Sequence, residues 1–170
     1  MNASADPVPG GEPEPVPEPG TEPEPAIERQ AARVLLIDDE GRVLLFRGCD
    51  PTRPEAGNWW FTPGGGVEGD ETLVQTARRE VFEETGHVLP DELGPVILTR
   101  TSRFVFEGLR YRQTESFYRV AAAHSRVDYS GWTEAERRTV HLHRWWTMDE
   151  LRQTRETVYP EGLLKLLGPG

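Results

Sequence analysis

The chain has 170 residues, enough for one domain of ordinary size with its own core. Its formal net charge of −10 excludes a general nucleic-acid binder, which would show a basic balance. A single cysteine, Cys49, excludes an internal disulfide and a Cys-x-x-Cys metal site, and no apolar run approaches the roughly 18 residues of a membrane span.

Residues 1–26 hold eight of the fifteen prolines, six acidic residues and no basic or aromatic one. Such a segment buries too little apolar surface to offset chain entropy, so a disordered acidic tail is expected over 1–26 and a folded domain over 27–170. No basic patch precedes an apolar run at the N-terminus, so no secretory signal is expected and a cytoplasmic location is. Residues 31–37 (AARVLLI) and 42–48 (RVLLFRG) flank an acidic turn ending in Gly41 and read as a hairpin. Residues 49–57 read as a loop marked by Pro51 and Pro54, and 58–62 as a short strand stopped by Pro63. A helix is expected over 73–85. Residues 94–107 and 109–123 read as a second hairpin. Residues 124–138 read as loop with some helix, 139–147 as a strand, 148–153 as a short helix, and 159–168 as a closing amphipathic helix. The order suggests a mixed sheet with helices on both faces.

The helix over 73–85 carries the chemistry. Thr72 and Gln75 have capping-box spacing, and Gly86 supplies a stop. Val74, Ala77 and Val81 form one apolar face, while Glu80, Glu83 and Glu84 share a neighbouring one. Like charges at that spacing repel by a few tenths of a kcal/mol per pair. Crowded carboxylates hold either protons or a hard cation, and Mg²⁺ is typically held by one or two carboxylates plus substrate phosphates. Taken alone, a Glu-Glu pair beside arginines is usually only a solvated helix face.

The joint spacing is far more specific. Gly65, five residues, Glu71, seven residues and then Arg79-Glu80-Val81-Phe82-Glu83-Glu84-Thr85-Gly86 resembles the box of the Nudix hydrolase family, of MutT-like type. Only the last aliphatic position departs, occupied by His87 with Val88 one step later; His87 reads as a helix-end residue rather than a ligand. The strand and Pro63-Gly64-Gly65 turn before the box, and the aromatic strand and short helix near the C-terminus, extend the likeness over 31–168. The resemblance implies an α/β (α+β) fold of α/β/α sandwich type with a mixed central β-sheet. It implies a hydrolase dependent on Mg²⁺ or Mn²⁺ that cleaves a pyrophosphate bond in a nucleoside diphosphate linked to another moiety, X.

Carried over by position, the resemblance makes Glu80 and Glu84 the metal ligands. Glu83 is a third ligand or the group that orients the attacking water, and the Gly65 carbonyl is a further ligand. Arg79 is expected to pair with a box glutamate such as Glu71. Members of the family often use one more glutamate outside the box. Candidates here are Glu115, Glu134 and Glu136, with Glu136 favoured because its loop precedes the last strand. For the substrate, Arg47, Arg112 and Trp60 are the selected contacts, although core packing is the commoner fate of tryptophan. The expected partner is a small nucleotide, with no nucleic acid or membrane and with a homodimer as an admissible assembly. Two alternatives stand beside the hydrolase: a Nudix-like ligand-binding or regulatory module, and an isoprenoid-diphosphate isomerase, which would want a catalytic cysteine.

Overall fold

The computed structural model describes residues 25–168, so the expected tail lies almost wholly outside the described residues. Strand β1 (Ile27–Ile37) is followed by β2 (Val43–Gly48), β3 (Trp59–Phe61) and β4 (Gly64–Gly66). Helix α1 (Leu73–Thr85) leads to β5 (Leu98–Phe106) and β6 (Leu109–Ala121). Then come α2 (Glu134–Thr139), β7 (Val140–Trp146), α3 (Met148–Gln153), β8 (Thr157–Val158) and α4 (Leu163–Leu167).

One mixed sheet runs in the order β5-β6-β1-β2-β3-β8, with β4 added to β1 and β7 added to β2. The β1–β6 and β3–β8 pairs are parallel and the others antiparallel. Alternation along β1 divides the core. Ala32, Val34 and Leu36 pack with Ala77 and Val81 of α1, whereas Leu35 packs with Leu151 of α3 and with Leu163 and Leu167 of α4. The sheet is therefore covered on both faces, as expected. A third cluster, built on Phe46, Phe61, Phe104, Phe106 and Tyr111, closes one end. Among the described residues, no helix is long and apolar enough to cross a membrane.

The first expected hairpin is narrower than its sequence suggests. β1 and β2 pair only at Ile37↔Val43, and β1 instead runs parallel to β6 from Ile27↔Tyr111 to Ile37↔Ala121. The turn is held by a side chain as well as by the backbone: Asp38 Oδ1 accepts from the amides of Glu40 and Arg42 at 3.0 and 2.8 Å, and the Asp38 N–H donates to the Arg42 carbonyl at 3.0 Å. β1 also begins four residues earlier than expected, because Glu28 and Arg29 give its start no apolar alternation. β4 is not expected from the sequence, since three glycines carry no strand pattern, yet it pairs with β1 through Ala31↔Gly66, Ala32↔Gly65 and Arg33↔Gly64. At Gly64, φ is 124° and a Cβ would sit 2.1 Å from the Ala32 carbonyl oxygen, so only glycine brings this strand against β1.

Candidate active site

Helix α1 forms where its signals lie. The Thr72 side chain accepts from the Gln75 amide, the Gln75 side chain accepts from the Thr72 amide, and Gly86 closes the helix with φ 75°. With Ala77 and Val81 fixed against the sheet, Glu80 and Glu84 point inward and are 3% and 8% exposed. Glu83, on the outer side, is half exposed.

Carboxylate oxygens of Glu80, Glu84 and Glu136 all lie within 4.8 Å of one another. Glu136 comes from α2, whose capping box it completes by accepting from the Thr133 amide at 2.6 Å. The loop before α2 is tied to α1, because the Trp132 Nε1–H donates to the Glu84 carbonyl at 2.7 Å. Its Gly131 lies so close to Glu83 that a Cβ there would meet the Glu83 carbonyl oxygen at 2.4 Å. Glu134 is outside this group. Glu115 is fully buried and ion-paired instead, with Arg33 Nε at 3.1 Å and Arg100 Nε at 2.7 Å.

Arg79 organises the box. Its Nε and Nη2 donate to the two oxygens of Glu71 at 2.8 and 3.0 Å, the expected pairing in bidentate form. Its Nη1 donates to Glu80 at 2.6 Å and Glu83 at 3.3 Å, and Nη2 also donates to the Gly66 carbonyl at 3.0 Å. The Arg79 fork holds the Glu71 carboxyl down at about 2. Glu80 and Glu84 move the other way. Burial raises the Glu80 carboxyl despite Arg79, and burial followed by the nearby Glu80 charge raises Glu84 well above the usual range.

Such a group binds protons or a cation. The donors are all oxygen, which suits Mg²⁺ or Mn²⁺. Oxygens within 4.8 Å of one another lie close to the spacing of ligands around one such ion, whose opposite oxygens stand about 4.2 Å apart. The free side of the glycine strand adds backbone groups. The Gly64 N–H donates to Glu84 Oε2 at 2.7 Å, and the Gly64 carbonyl accepts from Arg33 Nη1. Gly65, the expected carbonyl ligand, lies opposite Ala32 in the ladder, so the carbonyl on the carboxylate side is that of Gly64. The pleat turns successive carbonyls of the strand to opposite sides.

The expected substrate contacts do not converge on this group. Arg47 and Trp60 face each other across β2 and β3 and both bond to Glu156 Oε2, at 3.0 and 2.9 Å. Trp60 is buried edge-on against Trp146 with ring centroids 4.9 Å apart, so it packs the α3–α4 side rather than offering a stacking face. Arg112 Nη1 pairs with Glu28 at 2.9 Å. Cys49 lies beside His141, Sγ to Nε2 3.0 Å, and is not part of the acidic group. His87 is buried, with Nε2 2.8 Å from the His124 carbonyl oxygen, as befits a helix-end residue. Arg33 and Gly64 were not singled out from the sequence. A strand arginine next to apolar residues gives no sign of facing a site, and Gly64 was read only as part of a turn.

The NUDIX domain family model matches residues 27–167. A dihydroneopterin triphosphate diphosphatase of Escherichia coli (strain K12) is 34% identical over 102 residues, 55% of this chain and 65% of that protein. An RNA pyrophosphohydrolase of Acidiphilium cryptum is 30% identical over 117 residues, 58% of this chain and 71% of that protein. The match to the m7GpppN-mRNA hydrolase NUDT17 of Danio rerio covers 20% of that protein, so the chain spans less than two thirds of several relatives it resembles. Among solved structures, a MutT NUDIX hydrolase from Burkholderia pseudomallei superposes with a TM-score of 0.60 at 22% identity, covering 84% of this chain and 99% of that one. With its fold, its box and nearly all of its described residues matched, the chain belongs to the Nudix family.

Proposed function

We propose that this chain is a divalent-metal-dependent hydrolase that cleaves a pyrophosphate bond in a nucleoside diphosphate linked to another moiety, X. The observation that carries the reading is the grouping of Glu80, Glu84 and Glu136 within 4.8 Å, beside the Gly64 backbone. In this reading Glu80, Glu84, Glu136 and the Gly64 carbonyl hold Mg²⁺ or Mn²⁺. The bound cation supplies charge neutralisation at phosphate oxygens and Lewis acidity.

The chain's own residues do the rest. Arg79 fixes α1 to the loop through Glu71 and the Gly66 carbonyl, which sets the carboxylates relative to the glycine strand. Glu83, half exposed at the edge of the group, orients the attacking water and takes its proton. Trp132 and Gly131 hold the loop that delivers Glu136.

The names of the relatives support cleavage of a phosphoanhydride but differ in what that bond joins. An acidic chain favours small nucleotides over extended RNA contact. A cytoplasmic enzyme acting alone or as a homodimer fits the same reading. The test is incubation with nucleoside diphosphate derivatives, nucleoside triphosphates, dinucleotides and 5′-triphosphate RNA, with products identified by mass. Hydrolysis of a member of this panel between two phosphorus atoms is the expected result. Cation binding without any hydrolysis across the panel would favour a binding module instead.

A further inference from the structure

Arg33 occupies the middle of β1 and is 2% exposed. It bridges two groups of opposite purpose. Its Nε donates to Glu115 Oε1 at 3.1 Å, and its Nη1 donates to the Gly64 carbonyl. Glu115 is held in turn by Arg100 Nε at 2.7 Å and the Gln113 side-chain amide at 3.1 Å. On its other side, Gly64 gives its N–H to Glu84. The same peptide segment therefore carries a guanidinium on its carbonyl and a site carboxylate on its amide.

A hard cation seeks what Arg33 already has: the Gly64 carbonyl oxygen and the negative field of Glu80 and Glu84. The two positive charges repel, and Arg33 cannot withdraw into solvent because it is buried and tethered by Glu115. We infer that Arg33, anchored by Glu115, is a built-in counter-cation of the acidic site, competing with the divalent cation for the Gly64 carbonyl and so setting cation affinity. The inference rests on the cation-binding reading above. In this arrangement Glu115 is a positioning residue, whose negative charge draws Arg33 away from the carboxylates.

The sign of the effect separates this role from a structural one. Arg33→Met keeps the length and removes the charge, so the substrate-free protein should bind Mn²⁺ about tenfold more tightly. Glu115→Gln leaves Arg33 without its anchoring charge, so binding should weaken several-fold. A purely structural role would loosen the site in both variants and weaken both. Arg33 acting only on substrate phosphate would move KM and leave Mn²⁺ binding unchanged.

The experiment is titration of the full chain with Mn²⁺ alone, reading free Mn²⁺ by electron paramagnetic resonance, with a thermal melt to confirm folding. Opposite shifts in the two variants are expected. Unchanged or weaker binding by folded Arg33→Met would overturn the inference. If the single variants fail to fold, the Arg33→Met/Glu115→Gln double variant decides: binding at least as tight as wild type supports the inference, and weaker binding overturns it. Wild type that binds no Mn²⁺, or binds it equally well as Glu84→Gln, would instead overturn the proposed function, and the inference with it.

Discussion

The backbone N–H of Gly64 donates to Glu84 Oε2 at 2.7 Å, joining the glycine strand to the helix twenty residues later. This bond fixes one carboxylate of the site from outside its own helix, and an amide oxygen can accept it equally well. Glu84→Gln should therefore keep the fold. It should even raise the thermal midpoint of the metal-free protein, because a buried carboxylate beside Glu80 is costly when ionised. Turnover should fall on the order of a hundredfold to a thousandfold. Circular dichroism melts and steady-state rates on the same preparation check both parts.

Glu136 and Glu115 should separate by phenotype. Gln at 136 can still close the α2 capping box, so Glu136→Gln should cost less than about 1 kcal/mol of stability while lowering kcat strongly. Glu115→Gln breaks a buried network with Arg33 and Arg100 and should cost about 3 kcal/mol. Urea denaturation beside kinetics gives both numbers.

Arg79→Lys keeps the charge but loses the fork on Glu71. A loss of about 1–2 kcal/mol is expected, together with a lower kcat as α1 shifts against the glycine strand. Glu71, held at about 2 by Arg79, contributes stability above its unfolded pKa that is lost as pH falls through about 2. In Arg79→Lys the contribution should be smaller and its loss complete at a higher pH. An acid titration followed by tryptophan fluorescence reads the displacement.

The metal-free protein should lose stability as pH rises. The Glu80 and Glu84 carboxyls are raised by burial, so the contribution they make is full below the unfolded glutamate pKa and fades as pH rises through their folded values. Its melting temperature should thus decline over that rise, and Mg²⁺ should restore it most where the carboxylates are ionised. Melts at several pH values with and without Mg²⁺ test this; a Mg²⁺ effect that shrinks as pH rises would contradict it.

Much of this arrangement is legible in the chain. Helix α1, its caps and its inward glutamates follow from local signals, since capping and helical periodicity act over a few residues. The long-range parts are less visible. The parallel β1–β6 pairing joins segments some eighty residues apart and leaves no local mark. Glu136 stood out among three candidates only by its place before the last strand, whereas Glu115 differs from it through Arg33 and Arg100, which no spacing connects to it. Trp60 was misplaced because alternation alone does not say which sheet face meets α3 and α4. A run of glycines does not reveal its pleat, so the sequence does not say which of Gly64 and Gly65 faces the carboxylates.

The most direct test of the central claim is hydrolysis in ¹⁸O-labelled water, with wild type and Glu84→Gln side by side, with and without Mg²⁺. Cleavage by wild type only when Mg²⁺ is present is expected, with one ¹⁸O on a phosphate of one product and none on the sugar or on X. Cation-independent cleavage, label outside the phosphates, or wild-type turnover by Glu84→Gln would contradict the claim.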